Sequence, residues 1–487
     1  MSTSSSGGNR PDAGPPTCGP TCDLTARTCT SGAYGGCQDD PPQSIRLSPA
    51  TLTLATGGTA DLTVEVVLSS GEVVPVPLGA AFVATPQGIL SVDSSGHVTA
   101  QGTGTAEVKA YVMGMQSNVC TVTVQGMAEA RGLWVTRWDY TSVTNIEQIL
   151  TNAQEAGFNQ VYWQVRGRAD AFYNSTLEPW GSELTGTLGG NPGFDPLQTA
   201  ITKAHELGLE LHAWVNTFPA WSAGTAIPDS TPPHPLKAHP EWQQVDTAGN
   251  PPSSGYLALS PGNVAVREHI QAVLTEISAY DIDGLHLDYI RYVGRDLSHD
   301  AASEAAYATA QQANPSLTYA DFQRDAVADM VARARTALST HHPDKPLSAA
   351  VWFVYENEWN WSSVSQGNID FYQDTERWLA AGSVDVLIPM IYFPLTTPPG
   401  GRLDFLTLVD DHVARAAAHG RWVYAGFESD QELDEIEAEI NVARTHGTHG
   451  TVAFAYSTLL QRGHLETLPQ GVFAEPADVP QMPWLSP

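Results

Sequence analysis

The chain has 487 residues, 53 of them acidic against 23 basic, and a formal charge of −30. That length exceeds what one hydrophobic core usually holds, so two or three domains are expected. The negative field opposes DNA, RNA and anionic membrane surfaces, and no run approaches the roughly 20 apolar residues of a membrane span. The acidity is spread along the chain, as a solubilising surface is, and suits a neutral or cationic partner.

Residues 1–43 are poor in large apolar side chains and rich in Gly, Pro and Ser, the composition of a linker or tether. Cys18, Cys22, Cys29 and Cys37 fall inside it, and the three possible pairings cannot be told apart by spacing. A small disulfide knot is expected, and with it export. A four-thiolate zinc site is the rival, without the paired Cys-x-x-Cys units that favour one. The opening "MSTSSSGGNRPDAGPP" has neither the charged start nor the apolar middle of a signal peptide. An extracellular, periplasmic or cell-surface location therefore rests on cysteine usage, with a lipid or wall tether upstream of the N-terminus left open.

Over residues 44–125 short alternating runs rich in Val and Thr, such as "TADLTVEVVL" and "NVCTVTVQ", predict an antiparallel β-sandwich with Cys120 as a buried thiol. The stretch "LSVDSSGHVTAQGTGTAEVKA" resembles the bacterial Ig-like modules of cell-surface proteins, which implies a spacer or weak adhesion unit. Residues 128–487 then alternate apolar strands with amphipathic helices. Eight strands are legible, from "GLWVTRW" to "TVAFAYS", and predict a (β/α)8 TIM barrel whose reactive groups lie on the loops after the strands.

Inside a barrel strand, alternate residues face the lumen, and the apolar half must face the helices. In "GLHLDYI" this turns His286 and Asp288 inward, with Asp288 nearest the mouth. The same parity turns Gln164 and Arg166 inward on the second strand, His212, Trp214 and Asn216 on the third, and Tyr424 and Glu428 on the seventh. His212 and Gln164 also suit plain core hydrogen-bonding, and Arg166 with Asp288 also suits a structural ion pair.

Glycoside cleavage needs two carboxyl groups flanking the bond. Asp288 is one; Asp139, Asp170, Glu356, Glu358 and Glu428 follow other strand ends, with Asp170 or Glu356 the expected partner. Trp138, Trp214, Tyr289, Trp352 and Tyr392 cluster near the same ends and would stack on sugar rings. Metal-dependent barrels usually open with His-x-His on the first strand, where this chain reads Thr136, Arg137, Trp138; a metal shared by His286 and Asp288 is the minority alternative.

The runs "RGLWVTRWDY", "QVRGRADAFYNSTLEPW", "NPGFDPLQTAITKAHELGLELHAWVN", "YDIDGLHLDYIRY" and "VDVLIPMIYF" resemble the bacterial glycosyl-hydrolase-like 10 family, in order from Arg131 to Phe393. The resemblance implies glycoside hydrolysis on a (β/α)8 barrel, with members associated with bacterial cell-wall glycan strands. Its Gly-x-x-x-Asp segment carries over to Asp288; Arg166, Asp170, His212, Trp214, Asn216 and Tyr392 also fall on family-pattern positions. Many members carry a second acid directly after that Asp, where this chain has Tyr289, which counts against any role needing two adjacent carboxylates. Glu428, Glu356 and Glu358 do not clearly match.

The expectation is an exported, monomeric hydrolase of a bacterial polysaccharide, peptidoglycan strands among the candidates, needing no cofactor or metal. Asp288 with Asp170 or Glu356 would be catalytic; Arg166, His212, Trp214, Asn216, His286, Tyr289, Tyr392, Trp138 and Trp352 would hold substrate, with Arg166 and His286 tuning Asp288. The alternatives are a non-catalytic glycan-binding surface protein and a metal-dependent deacetylase or hydrolase.

Overall fold

The computed structural model describes residues 41–485 except 76–79, 113 and 397–398, together with the backbone of 22–23 and 28–29. The disulfide expectation for Cys18, Cys22, Cys29 and Cys37 lies outside the described residues. The chain divides into two compact units, Met1–Met127 and Ala128–Pro487.

The first unit is strand-rich. Pro42–Ser48, Thr63–Leu68 and Val73–Pro75 form one antiparallel sheet, and Gly104–Val112 pairs with Ala81–Thr85, Met115–Gln116 and Cys120–Gln125 in another. Burial alternates along Thr63–Leu68, where Val64, Val66 and Leu68 point into the core while Thr63 is exposed. Val66, Val98, Val108, Val122 and Cys120 make that core, and Cys120 is the buried free thiol its strand pattern predicts. The first strand begins just inside the segment expected as linker, because Ile45 and Leu47 bring the chain into the sheet.

The second unit is a closed parallel barrel of eight strands: β1 (Ala130–Val135), β2 (Gln160–Arg166), β3 (Glu210–Asn216), β4 (Gly284–Asp288), β5 (Leu347–Val351), β6 (Val386–Pro389), β7 (Trp422–Glu428) and β8 (Gly450–Phe454). Helices connect them, as the alternating pattern predicts. The first, Val143–Glu155, starts where the Ser142 hydroxyl accepts the Asn145 N–H, and buries Ile146, Ile149, Leu150 and Ala153 at helical spacing. Those faces and the outward strand residues Val161, Trp163, Val165, Leu285 and Leu287 form the main core between barrel and helices. The inward layer is separate and aromatic, with Trp134, Tyr162, Trp214 and Tyr424 packed against Ala130, Ala350 and Val452.

Such large lumen residues fit only because some neighbours are glycine. A Cβ on Gly284 would stand 2.2 Å from His212 Nδ1, and one on Gly132 would stand 2.7 Å from the Tyr162 ring. The connections after β2 and β3 are long, and so is the connection after β5, over 352–374. Among the described residues no helix is long and apolar enough to cross a membrane.

Candidate functional site at the barrel mouth

Parity holds for the inward residues, but depth separates them. His286 lies fully buried between strands: the Trp134 indole N–H donates to its Nε2 at 3.1 Å, and its Nδ1 is 2.9 Å from Ser348 Oγ. An indole nitrogen only donates, so Nε2 accepts and Nδ1 carries the proton. Burial pushes this imidazole well below its usual pKa and keeps it neutral. His212, also buried, packs 4.9 Å from the Tyr162 ring and faces Glu210 at 3.4 Å. Both histidines lie in the lumen packing, below the strand-end residues expected to hold substrate with them.

The Nε and Nη2 of Arg166 donate in parallel to the two oxygens of Glu178, each at 2.7 Å, and its Nη1 donates to the carbonyls of Asn216 and Thr217. Arg166 and Glu178 are both fully enclosed, and His269 adds a contact at 2.9 Å to Glu178. Burial alone would raise the Glu178 carboxyl, but Arg166 and His269 outweigh it and hold it well below the carboxylate range. The partner of Arg166 is therefore Glu178, supplied by the long loop after β2, and not Asp288.

Asp288 ends β4 at the mouth, 7% exposed. The Tyr289 N–H donates to its Oδ1 at 2.5 Å, and Arg291 Nη1 stands 3.6 Å from the same oxygen. Burial raises its pKa, opposed by Arg291 and the Tyr289 N–H. Tyr289 holds a left-handed backbone, φ 46°, an unfavourable conformation for a bulky residue and one that recurs at functional sites. Arg291 lies over the Tyr289 ring at 4.3 Å and the Trp352 ring at 5.4 Å. Tyr392 stacks on Phe454; burial, then the charges of Asp288 and Glu428, raise its hydroxyl, so both acids act on it. Glu428, at the end of β7, is itself raised by desolvation and by Asp430. Around this floor Asn216 Oδ1 is buried without a hydrogen-bond partner among the described residues, while Trp214 and Arg291 both bear on the Asp288 carboxylate and lower its pKa.

The two acids expected beside Asp288 are placed differently. Asp170 is fully buried; its Oδ1 takes the Arg168 N–H at 2.7 Å, and burial followed by Glu183 raises its pKa. Glu183 ties Arg168 to Arg137, whose guanidinium lies 3.8 Å over the ring of Trp138, itself 60% exposed. Glu356 accepts from the Asn368 amide at 2.6 Å, and Asn368 in turn binds Arg324 on helix Tyr319–His341, so its contacts run to the outer helices. Arg291, Arg137, Glu178 and Glu183 were not singled out from sequence. Only Arg291 left a local signal, a cation three residues after the strand-end acid.

A (β/α)8 barrel with a desolvated carboxylate and open aromatic faces at its C-terminal mouth is the architecture of carbohydrate-active barrels. The Glycosyl hydrolase-like 10 family matches residues 129–426, and the chain belongs to that family. It is 27% identical to the glycosyl hydrolase YngK of Bacillus subtilis over 69% of this chain and 68% of the relative. It is 26% identical to the glycosyl hydrolase DigH of Escherichia coli K12 over 56% of this chain and 68% of that protein. Among solved structures, the catalytic domain of a β-amylase from Paenibacillus polymyxa shares the fold, with a TM-score of 0.52 at 13% identity over 72% of this chain and 99% of that one.

Proposed function

We propose that this chain hydrolyses glycosidic bonds in a bacterial polysaccharide outside the cytoplasm, with the strand-rich first unit serving as an Ig-like spacer and the barrel working as a monomer. The observation that supports this reading is Asp288, a strand-end carboxylate at the mouth whose pKa burial raises although the Tyr289 N–H and Arg291 oppose it. A desolvated acid is costly to keep, and catalysis is a physical reason to keep one at a barrel mouth. Sugars present hydroxyls to such groups and C–H faces to Trp138, Trp352 and Tyr392.

Asp288 is the first carboxylate of the pair. Glu428, which acts with Asp288 on Tyr392, joins Asp170 as a candidate partner; Asp170 keeps one oxygen without a hydrogen-bond partner among the described residues, while Glu356 accepts from Asn368. The chemistry needs only carboxylates. Denuded peptidoglycan strands are one substrate candidate; neutral and amino-sugar polymers suit the charge of −30 equally well.

Reducing-end release by wild type and Asp288→Asn, on peptide-free peptidoglycan strands and a panel of neutral and amino-sugar polymers with EDTA controls, tests the reading. Cleavage that survives EDTA and falls at least about a hundredfold in the variant supports it. Cleavage that is equal in both proteins removes Asp288 from the chemistry. The second reading, a glycan-binding barrel, is favoured by Tyr289 standing where many family members have an acid. It predicts tight binding with no cleavage.

A further inference from the structure

Arg291 is 6% exposed, yet its Nη1 finds no hydrogen-bond partner among the described residues. It forms a loose ion pair with Asp288, Nη1 to Oδ1 3.6 Å, longer than a close hydrogen bond. The guanidinium is held there by ring faces, Tyr289 on one side and Trp352 on another. Such a placement leaves a buried donor beside an acceptor, neither fully used by the other.

A group that both accepts and donates satisfies the two together. A hydroxyl does so, accepting from Arg291 and donating to Asp288, whereas a carboxylate satisfies Arg291 and meets repulsion from Asp288. We propose that Arg291 and Asp288 form a hydroxyl clamp, in which Arg291 is a specificity-determining residue that selects a neutral sugar carrying a free hydroxyl at this subsite. The inference rests on reading the mouth as a sugar site. The chain's overall negative charge works in the same direction, against acidic polymers.

Calorimetric titration of the wild type with cellotetraose, maltotetraose, mannotetraose, chitotetraose and tetragalacturonate, with hydrolysis followed in parallel, tests the clamp. The tightest neutral oligomer is then titrated into Arg291→Lys and Arg291→Gln, with thermal unfolding as the fold control. The lysine keeps the charge but not the planar donor geometry. The clamp predicts that both variants bind at least about tenfold more weakly. Three results overturn it: Arg291→Lys binding as wild type does, tetragalacturonate binding best and depending on Arg291, or no neutral oligomer binding at all. Arg291-dependent binding without hydrolysis keeps the clamp and overturns the hydrolase reading, so the two failures are distinguishable.

Discussion

Two inward residues of β4, His286 in the lumen and Asp288 at the mouth, are held in opposite ways. Below, His286 is bonded on both ring nitrogens, between Trp134 and Ser348. At the mouth, Asp288 takes one short bond from the Tyr289 N–H and a looser ion pair from Arg291. Arg166 shows how sharp the division is: it ends β2 near the mouth, yet Glu178 and two carbonyls consume its donors. Substitutions among tightly bonded groups such as Arg166 should cost stability, and substitution of Asp288 should cost activity if the mouth is a sugar site.

The largest effect is expected from the completed set. Arg166→Ala leaves the Glu178 charge enclosed with only His269 beside it, and should cost about 3–5 kcal/mol in a denaturant unfolding curve. If stability holds while sugar binding is lost, Arg166 belongs with the mouth and the comparison is drawn in the wrong place.

Glu439 sharpens the comparison, being enclosed like the lumen groups but met only by the Gln431 amide, at 3.1 Å to each oxygen. Burial raises its pKa to about 9 from 4.5. The folded state therefore keeps a proton that the unfolded chain releases above pH 4.5, so stability falls as pH rises through the window from 4.5 to about 9. Glu439→Gln should recover roughly 3 kcal/mol at pH 7 and flatten that slope. An unchanged slope in urea titrations across this range would show that the carboxyl ionises in place.

At the mouth the cost moves from stability to activity. Asp288→Asn should lose at least about a hundredfold in turnover while melting no lower than wild type, because it removes a desolvated acid. A large drop in melting temperature with it would make Asp288 a structural group like Glu178. With a raised carboxyl as proton donor, activity falls as pH climbs through that pKa; Glu428→Gln should abolish this alkaline limb of the kcat profile if Glu428 is the donor. The smallest effect is expected at the rim: Trp138→Ala should raise KM several-fold at unchanged kcat, through loss of one stacking face.

Parity along β4 was enough to turn His286 and Asp288 inward, whereas the close approach of His212 to Gly284 shows only in the fold. The period of two decides which face a side chain takes, but height along the barrel axis depends on strand tilt and stagger, which no single strand encodes. His286 and Asp288 lie two residues apart in sequence, one bonded within the lumen and the other at the mouth.

The sequence by itself determined the strand-rich first unit, the eight-stranded barrel, the family, and Asp288 at the mouth, since each rests on local periodicity or a contiguous motif. Only the tertiary structure decided that Arg166 is spent on Glu178, that Glu356 is held by Asn368, that one oxygen of Asp170 takes the Arg168 N–H, and that Arg291 stands with Asp288. Those assignments depend on which long loop supplies the opposite charge. Pairing across 12 residues, or across the full width of a barrel, is set by how the loops fold over the mouth rather than by any spacing along the chain.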